Sequence, residues 1–169
     1  MCSSDLLATL SGLGQVRDGD LTAAMGPDQP EFLRETAIRL AEPRINGSES
    51  LARSVVGAVD DPSVRVRFQA AFTLGEWRDP GAVDALARLV RRDRDDGWIQ
   101  KAVLSSVAES AGALAGRLLT GKESAKPAAL IGRCAQIVGV RGRREEIVAL
   151  LEDLRASQPD RKSTRLNSS

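Results

Sequence analysis

The chain has 169 residues, long enough for one domain with a sizeable core, and its 42% hydrophobic and 28% charged content describes a globular chain, not a disordered one. Its 24 basic and 23 acidic residues leave a net charge of +1, interleaved along the chain, which argues against nucleic-acid binding through a basic face. The absence of histidine excludes Ser-His-Asp and Cys-His catalysis and His-ligated zinc or haem, and no apolar run reaches the ~18 residues of a membrane span.

The opening, MCSSDL, lacks the basic segment and long apolar run of a secretion signal. A short apolar run, LLATLSGLG, followed by GDLTAAMG, predicts a partial helical hairpin over 7–27. Complete hairpins follow. DQPEFLRETAIRLAE with SESLARSVVGAV covers 28–60, DPSVRVRFQAAFTLGEW with DPGAVDALARLVRR covers 61–94, and DDGWIQKAVLSSVAES with AGALAGRLLTG covers 95–122. A fourth, SAKPAALIGRCAQIVGVRG with REEIVALLEDLRAS, covers 123–158 at slightly shorter spacing.

These segments repeat one another. Leu33, Val66 and Ile99 recur every 33 residues, as do Ala37, Ala70 and Val103, a period typical of repeat arrays. Within the central hairpin Val66, Ala70, Ala71 and Leu74 share a helical face, with Arg65, Arg67, Gln69 and Glu76 turned away. In the helix after it Val83, Leu86, Ala87 and Val90 form the buried stripe, with Asp84, Arg88 and Arg91 on the wet side.

Turn chemistry agrees with the hairpins. Asp61-Pro62 and Asp79-Pro80 place a side-chain acceptor at an N-cap and a proline at the first helical position; Pro30 and Pro127 also open helices. Gly47, Gly75, Gly112, Gly121 and Gly142 fall near predicted helix ends or turns, where a positive φ is often needed. Cys2 and Cys134 form no metal-ligating pair, and Cys134 reads as a small buried hydrophobe.

The predicted fold class is therefore all-α, an α-solenoid of about four to five helical hairpins. The tetratricopeptide pattern needs tyrosine, which the chain lacks, and no ankyrin TPLH turn occurs. The pattern D-P-x-x-x-V-R-x-x-A-A-x-x-L-G at Asp61, Pro62, Val66, Arg67, Ala70, Ala71, Leu74 and Gly75 resembles the short HEAT-like repeat of the bilin-lyase type; Gln100 stands for the arginine in the third unit. That resemblance implies an armadillo-type superhelix and a non-catalytic scaffold for protein–protein interaction. Residues 7–158, through RLAEPRI, VRFQAAFTLGEW and RRDRDDGWIQKAVLSSV, also look like the repeat section of planctomycete-type proteins. Those carry a sugar-dehydrogenase-like propeller and a haem-binding C-x-x-C-H domain, so this second resemblance implies a spacer array in a periplasmic redox protein. No C-x-x-C-H occurs here, and no haem ligand carries over. Enzymes of the bilin-lyase type are a remote further alternative. Otherwise a cytoplasmic location is expected.

In HEAT-like arrays the second helix of each hairpin lines the concave side. Its exposed residues here, Arg53, Asp84, Arg88, Arg92 and Arg117, are the candidate contacts to an acidic peptide, an unknown protein partner or neighbouring domains of a parent chain. The blander reading is a solvated helix face, the commoner role of exposed charges. Arg67 is expected to bind loop carbonyls or an aspartate at a helix end, and Trp77 and Trp98 to pack between adjacent hairpins. The run Asp93–Asp96 is explained by loop solvation and by capping of the helix at Trp98. No catalytic residue, cofactor, metal, nucleic acid or membrane insertion is expected.

The ends stand apart. DRKSTRLNSS at 160–169 resembles the translation of a sequencing-library adapter, and MCSSDL at 1–6 the translation of its reverse complement. Both are expected to be adapter-derived, the tail disordered and dispensable, and the array a fragment of a longer protein.

Overall fold

The computed structural model describes residues 3–121 and 127–157. The expectation for residues 160–169 lies outside the described residues, as do Met1 and Cys2. Among the described residues ten α-helices run in order: α1 (Ser3–Gly12), α2 (Asp18–Ala24), α3 (Glu31–Ala41), α4 (Glu49–Gly57), α5 (Val64–Glu76), α6 (Gly81–Arg92), α7 (Gly97–Ser106), α8 (Ala111–Leu119), α9 (Ala128–Arg141) and α10 (Arg144–Ala156). Short 3-10 segments at Glu42–Gly47 and Ala58–Asp60 flank α4, and no strand occurs among the described residues. The fold class is an all-α solenoid of helical hairpins, and each helix falls on one of the amphipathic runs of the sequence.

Contacts divide the chain into two compact units, Met1–Val107 and Ala108–Ser169, with the boundary between α7 and α8. In the first unit α1, α3, α5 and α7 pack in succession as one layer, and α2, α4 and α6 form the second. The period of 33 residues sets its core. Leu33, Val66 and Ile99, then Ala37, Ala70 and Val103, then Ala41, Leu74 and Val107 are all buried, each at the same level of its helix. Burying each Leu, Val or Ile contributes about 1.5–3 kcal/mol, so the array is held chiefly by this repeated apolar seam. In the second unit α8 packs on both α9 and α10, with Leu114, Leu118, Leu130, Cys134, Val138 and Leu150 buried. Burial pushes the Cys134 thiol up to about 11, which suits an unreactive core residue.

Helix starts follow the predicted turn chemistry at one D-P pair and not at the other. Pro80 has helical torsions, and Asp79 Oδ1 accepts the Gly81 N–H at 2.7 Å, as a capping aspartate should. At Asp61-Pro62 the helix begins two residues later: Ser63 is the N-cap of α5, and Asp61 Oδ1 accepts the Ser63 N–H at 2.8 Å. The same Asp61 carboxylate also accepts from Arg34, so it holds the turn and the preceding helix together. Pro30 and Pro127 sit just before α3 and α9, as the residues flanking their first turns.

The glycines also need correction. Among the described residues Gly14 and Gly142 are the glycines with positive φ; Gly142, at +65°, ends α9 in the left-handed conformation. Gly75 lies inside α5 at ordinary torsions and is needed for a different reason. A Cβ there would stand 2.7 Å from Ser106 Cβ and 2.9 Å from Ser106 Cα, so the glycine lets α5 and α7 touch. By contrast, Gly132 and Gly139 lie within α9 with nothing within 4 Å of a would-be Cβ. Gly132→Ala and Gly139→Ala are each expected to stabilise the second unit by about 0.5–1 kcal/mol, since alanine loses less backbone freedom on folding. Urea titration of the two variants checks this.

Two side chains lie where the sequence reading did not put them. Arg67, placed on the wet face of α5, is only 7% exposed. Trp98, expected to pack between hairpins, is 69% exposed, whereas Trp77 is half-buried with its ring against Gly81.

Candidate functional site

A ladder of buried arginine–aspartate pairs fixes the hairpins of the first unit against one another. Arg34 on α3 donates from Nε and Nη2 to the two carboxylate oxygens of Asp61, both at 2.8 Å, and its Nη1 donates to the Gln29 carbonyl. One period later Arg67 on α5 repeats the arrangement. Its Nε and Nη2 donate to Asp93 at 2.7 and 2.8 Å, and its Nη1 to the Asp61 and Pro62 carbonyls at 2.8 and 3.0 Å. The planar fork of arginine matches a carboxylate at two points, which sets both distance and orientation between successive loops. The hydrogen bonds to Asp61, opposed by burial, raise the pKa of Arg34 above its ordinary value, so its guanidinium stays charged.

The third rung differs. Gln100, at the equivalent position on α7, donates only to the Arg94 carbonyl, at 2.5 Å. The expectation for Arg67 thus holds in both its parts, carbonyls and aspartate. Asp93 does more than solvate its loop, because it is the acceptor of that rung. Asp96 caps α7, accepting from the Trp98 and Ile99 N–H groups at 2.8 and 3.1 Å. Asp93 and Asp96 therefore serve separate partners.

Of the candidate contact residues, Arg53, Asp84, Arg88 and Arg92 stand on the second-layer helices α4 and α6 of the first unit. Arg53 on α4 is exposed, with Glu49 one turn earlier at 3.8 Å. Asp84 on α6 is exposed one turn before Arg88. Arg88 and Arg92 meet at one acidic residue that the sequence reading missed. Arg88 Nη2 donates to the Val56 carbonyl at 2.7 Å and lies 3.2 Å from Asp60, while Arg92 Nη1 donates to the Asp60 carbonyl at 3.0 Å. Both arginines thereby satisfy carbonyls at the end of the preceding hairpin, where helices leave acceptors unpaired. Both keep an exposed edge. Arg117 is exposed on α8 of the second unit. The structure brings Arg88 and Arg92 together, and leaves Arg53 with its own helix neighbour.

Asn46 is a second residue that sequence reasoning passed over. Its Nδ2 donates to the Glu76 carbonyl at 2.8 Å and its Oδ1 accepts the Arg78 N–H at 2.9 Å, tying the first hairpin to the end of α5. A side-chain amide joining two backbone groups leaves no periodic trace, so only its position just before a predicted turn hinted at it.

No helix among the described residues is long and apolar enough to cross a membrane. A family model described as HEAT repeats matches the chain twice, over residues 20–108 and 51–128. No curated protein and no solved structure matches it.

Proposed function

The chain belongs to the HEAT-repeat family, and from that premise we propose that it is a non-catalytic scaffold whose second-layer helices α4 and α6 bind a protein partner with an acidic surface. The observation that carries this reading is the tethering of Arg88 and Arg92. Each guanidinium is held by a main-chain carbonyl of the preceding hairpin, yet remains part-exposed. Long side chains ordinarily lose rotamer freedom on binding, about 0.5–1.5 kcal/mol each; side chains already ordered lose less. Arg53 and Asp84 flank the pair on the same helices, and Asp60 balances part of its charge. Arg117 belongs to the second unit and is a separate candidate.

A Glu-rich helical peptide titrated into the labelled protein is expected to shift amide resonances of α4 and α6 first. Arg88→Glu combined with Arg92→Glu should weaken that binding by about ten-fold or more, since like charges now meet. Shifts confined to other helices, or an affinity indifferent to the double substitution, would remove this face from consideration.

A further inference from the structure

Two adjacent aspartates follow α4, and each meets arginine in a different way. Asp61 is clamped: Arg34 reaches both its oxygens at 2.8 Å, and both side chains are only 8% exposed. Asp60 is shared and loosely held. One of its oxygens stands 3.2 Å from Arg88 and the other 3.9 Å from Arg92, and its side chain is 54% exposed. Neither distance is that of a charge-assisted hydrogen bond, which runs about 2.7–2.9 Å. Exposed ion pairs of this kind add little to stability, because water screens them and ordering two long side chains costs entropy.

The arginines do not need that carboxylate to hold their positions. Arg88 Nη2 donates to the Val56 carbonyl at 2.7 Å and Arg92 Nη1 to the Asp60 carbonyl at 3.0 Å, each reaching 32 residues back along the chain. The carbonyls are fixed in the main chain, whereas the Asp60 carboxylate can swing aside by turning its own side chain. Two guanidiniums one turn apart on α6 thus converge on a place that a carboxylate already fills. We infer that Asp60 is an internal competitor at the partner site: its carboxylate fills the position of a partner's Glu or Asp carboxylate and leaves when that partner binds. The inference rests on the acidic-partner reading above and adds what holds its affinity down. One carboxylate replaces another, so neither guanidinium is stranded, and Asp60, already half in water, returns to it. Under a partner that shuts out water the same opposite charges attract more strongly, which drives the exchange.

Extending the Glu-rich peptide titration to Asp60→Asn is the test. Asparagine keeps the main-chain carbonyl that holds Arg92 and the shape of the side chain, and removes only the charge. Affinity is expected to rise about three-fold or more, since two exposed ion pairs no longer have to be broken. Loss of a negative charge anywhere nearby would also favour an acidic peptide, so a second readout separates the two causes. In the unsubstituted chain the Asp60 carboxyl carbon resonance should move, as peptide saturates, toward its value in peptide-free Arg88→Gln with Arg92→Gln. A resonance that stays in place at saturation overturns the inference, as does an Asp60→Asn affinity equal to or below that of the unsubstituted chain. Peptide shifts outside α4 and α6, or binding indifferent to Arg88→Glu with Arg92→Glu, would instead remove the acidic-partner reading itself, and the inference with it.

Discussion

Arg67→Ala is expected to destabilise the first unit by about 3–5 kcal/mol. The reason lies in what the arginine leaves behind. Asp93 would keep a carboxylate in a mostly buried position without its two donors at 2.7 and 2.8 Å, and the Asp61 and Pro62 carbonyls would lose theirs. An unpaired buried charge costs more than the pair itself contributes. It follows that Arg67→Met combined with Asp93→Leu should recover much of the loss, since removing both charges also removes the desolvation cost. Arg67→Lys should not recover it, because an ammonium cannot make the two-point contact. Urea denaturation of the three variants separates these cases. Equal stability of Arg67→Ala and the double variant would show that the unpaired Asp61 and Pro62 carbonyls, not the stranded carboxylate, set the cost.

Gly75→Ala is the second large effect, and its sign runs against helix propensity. Alanine in a helix gains about 1 kcal/mol over glycine. Here the added methyl would meet the Ser106 backbone and Cβ at 2.9 and 2.7 Å, and a helix backbone cannot rotate aside as a side chain can. Forcing α5 and α7 apart costs about 1–3 kcal/mol, so the net result is a loss, with faster amide exchange along the α5–α7 contact. Gly116→Ala supplies the comparison. Its would-be methyl meets only the Asp153 carboxylate, the far end of a side chain that can turn away, so that substitution is expected to be close to neutral. If both variants behave alike, close helix approach is not what holds glycine at position 75.

Much of this protein was legible without coordinates. The helices follow from apolar residues spaced at helical period, and the recurrence of Leu33, Val66 and Ile99 tells which faces stack, because each hairpin can bury its apolar side only against the next. The arginine of the repeat pattern was readable too, since its place beside a D-P turn leaves few partners but carbonyls and an aspartate. The register also holds Arg34 one step before Arg67, a signal open to sequence reading that the alignment of apolar positions passed over.

The candidate site was less legible. Spacing along α6 puts Arg88 and Arg92 one turn apart, but their common partner Asp60 belongs to the preceding hairpin, and nothing local to either segment announces the meeting. Trp98 fails for the same reason. Its size argued for burial, yet position 98 falls on the outward stripe, which helix packing and not hydrophobicity assigns.

By itself, then, the sequence determined the class of fold, the number and order of helices, and the levels at which their apolar residues meet, because these depend on periodicity within short segments. Only the tertiary structure decided which aspartate each arginine takes, why Gly75 is glycine, and which aromatic rings face outward. Those outcomes depend on distances between helices some thirty residues apart, and side-chain chemistry along one helix does not encode them.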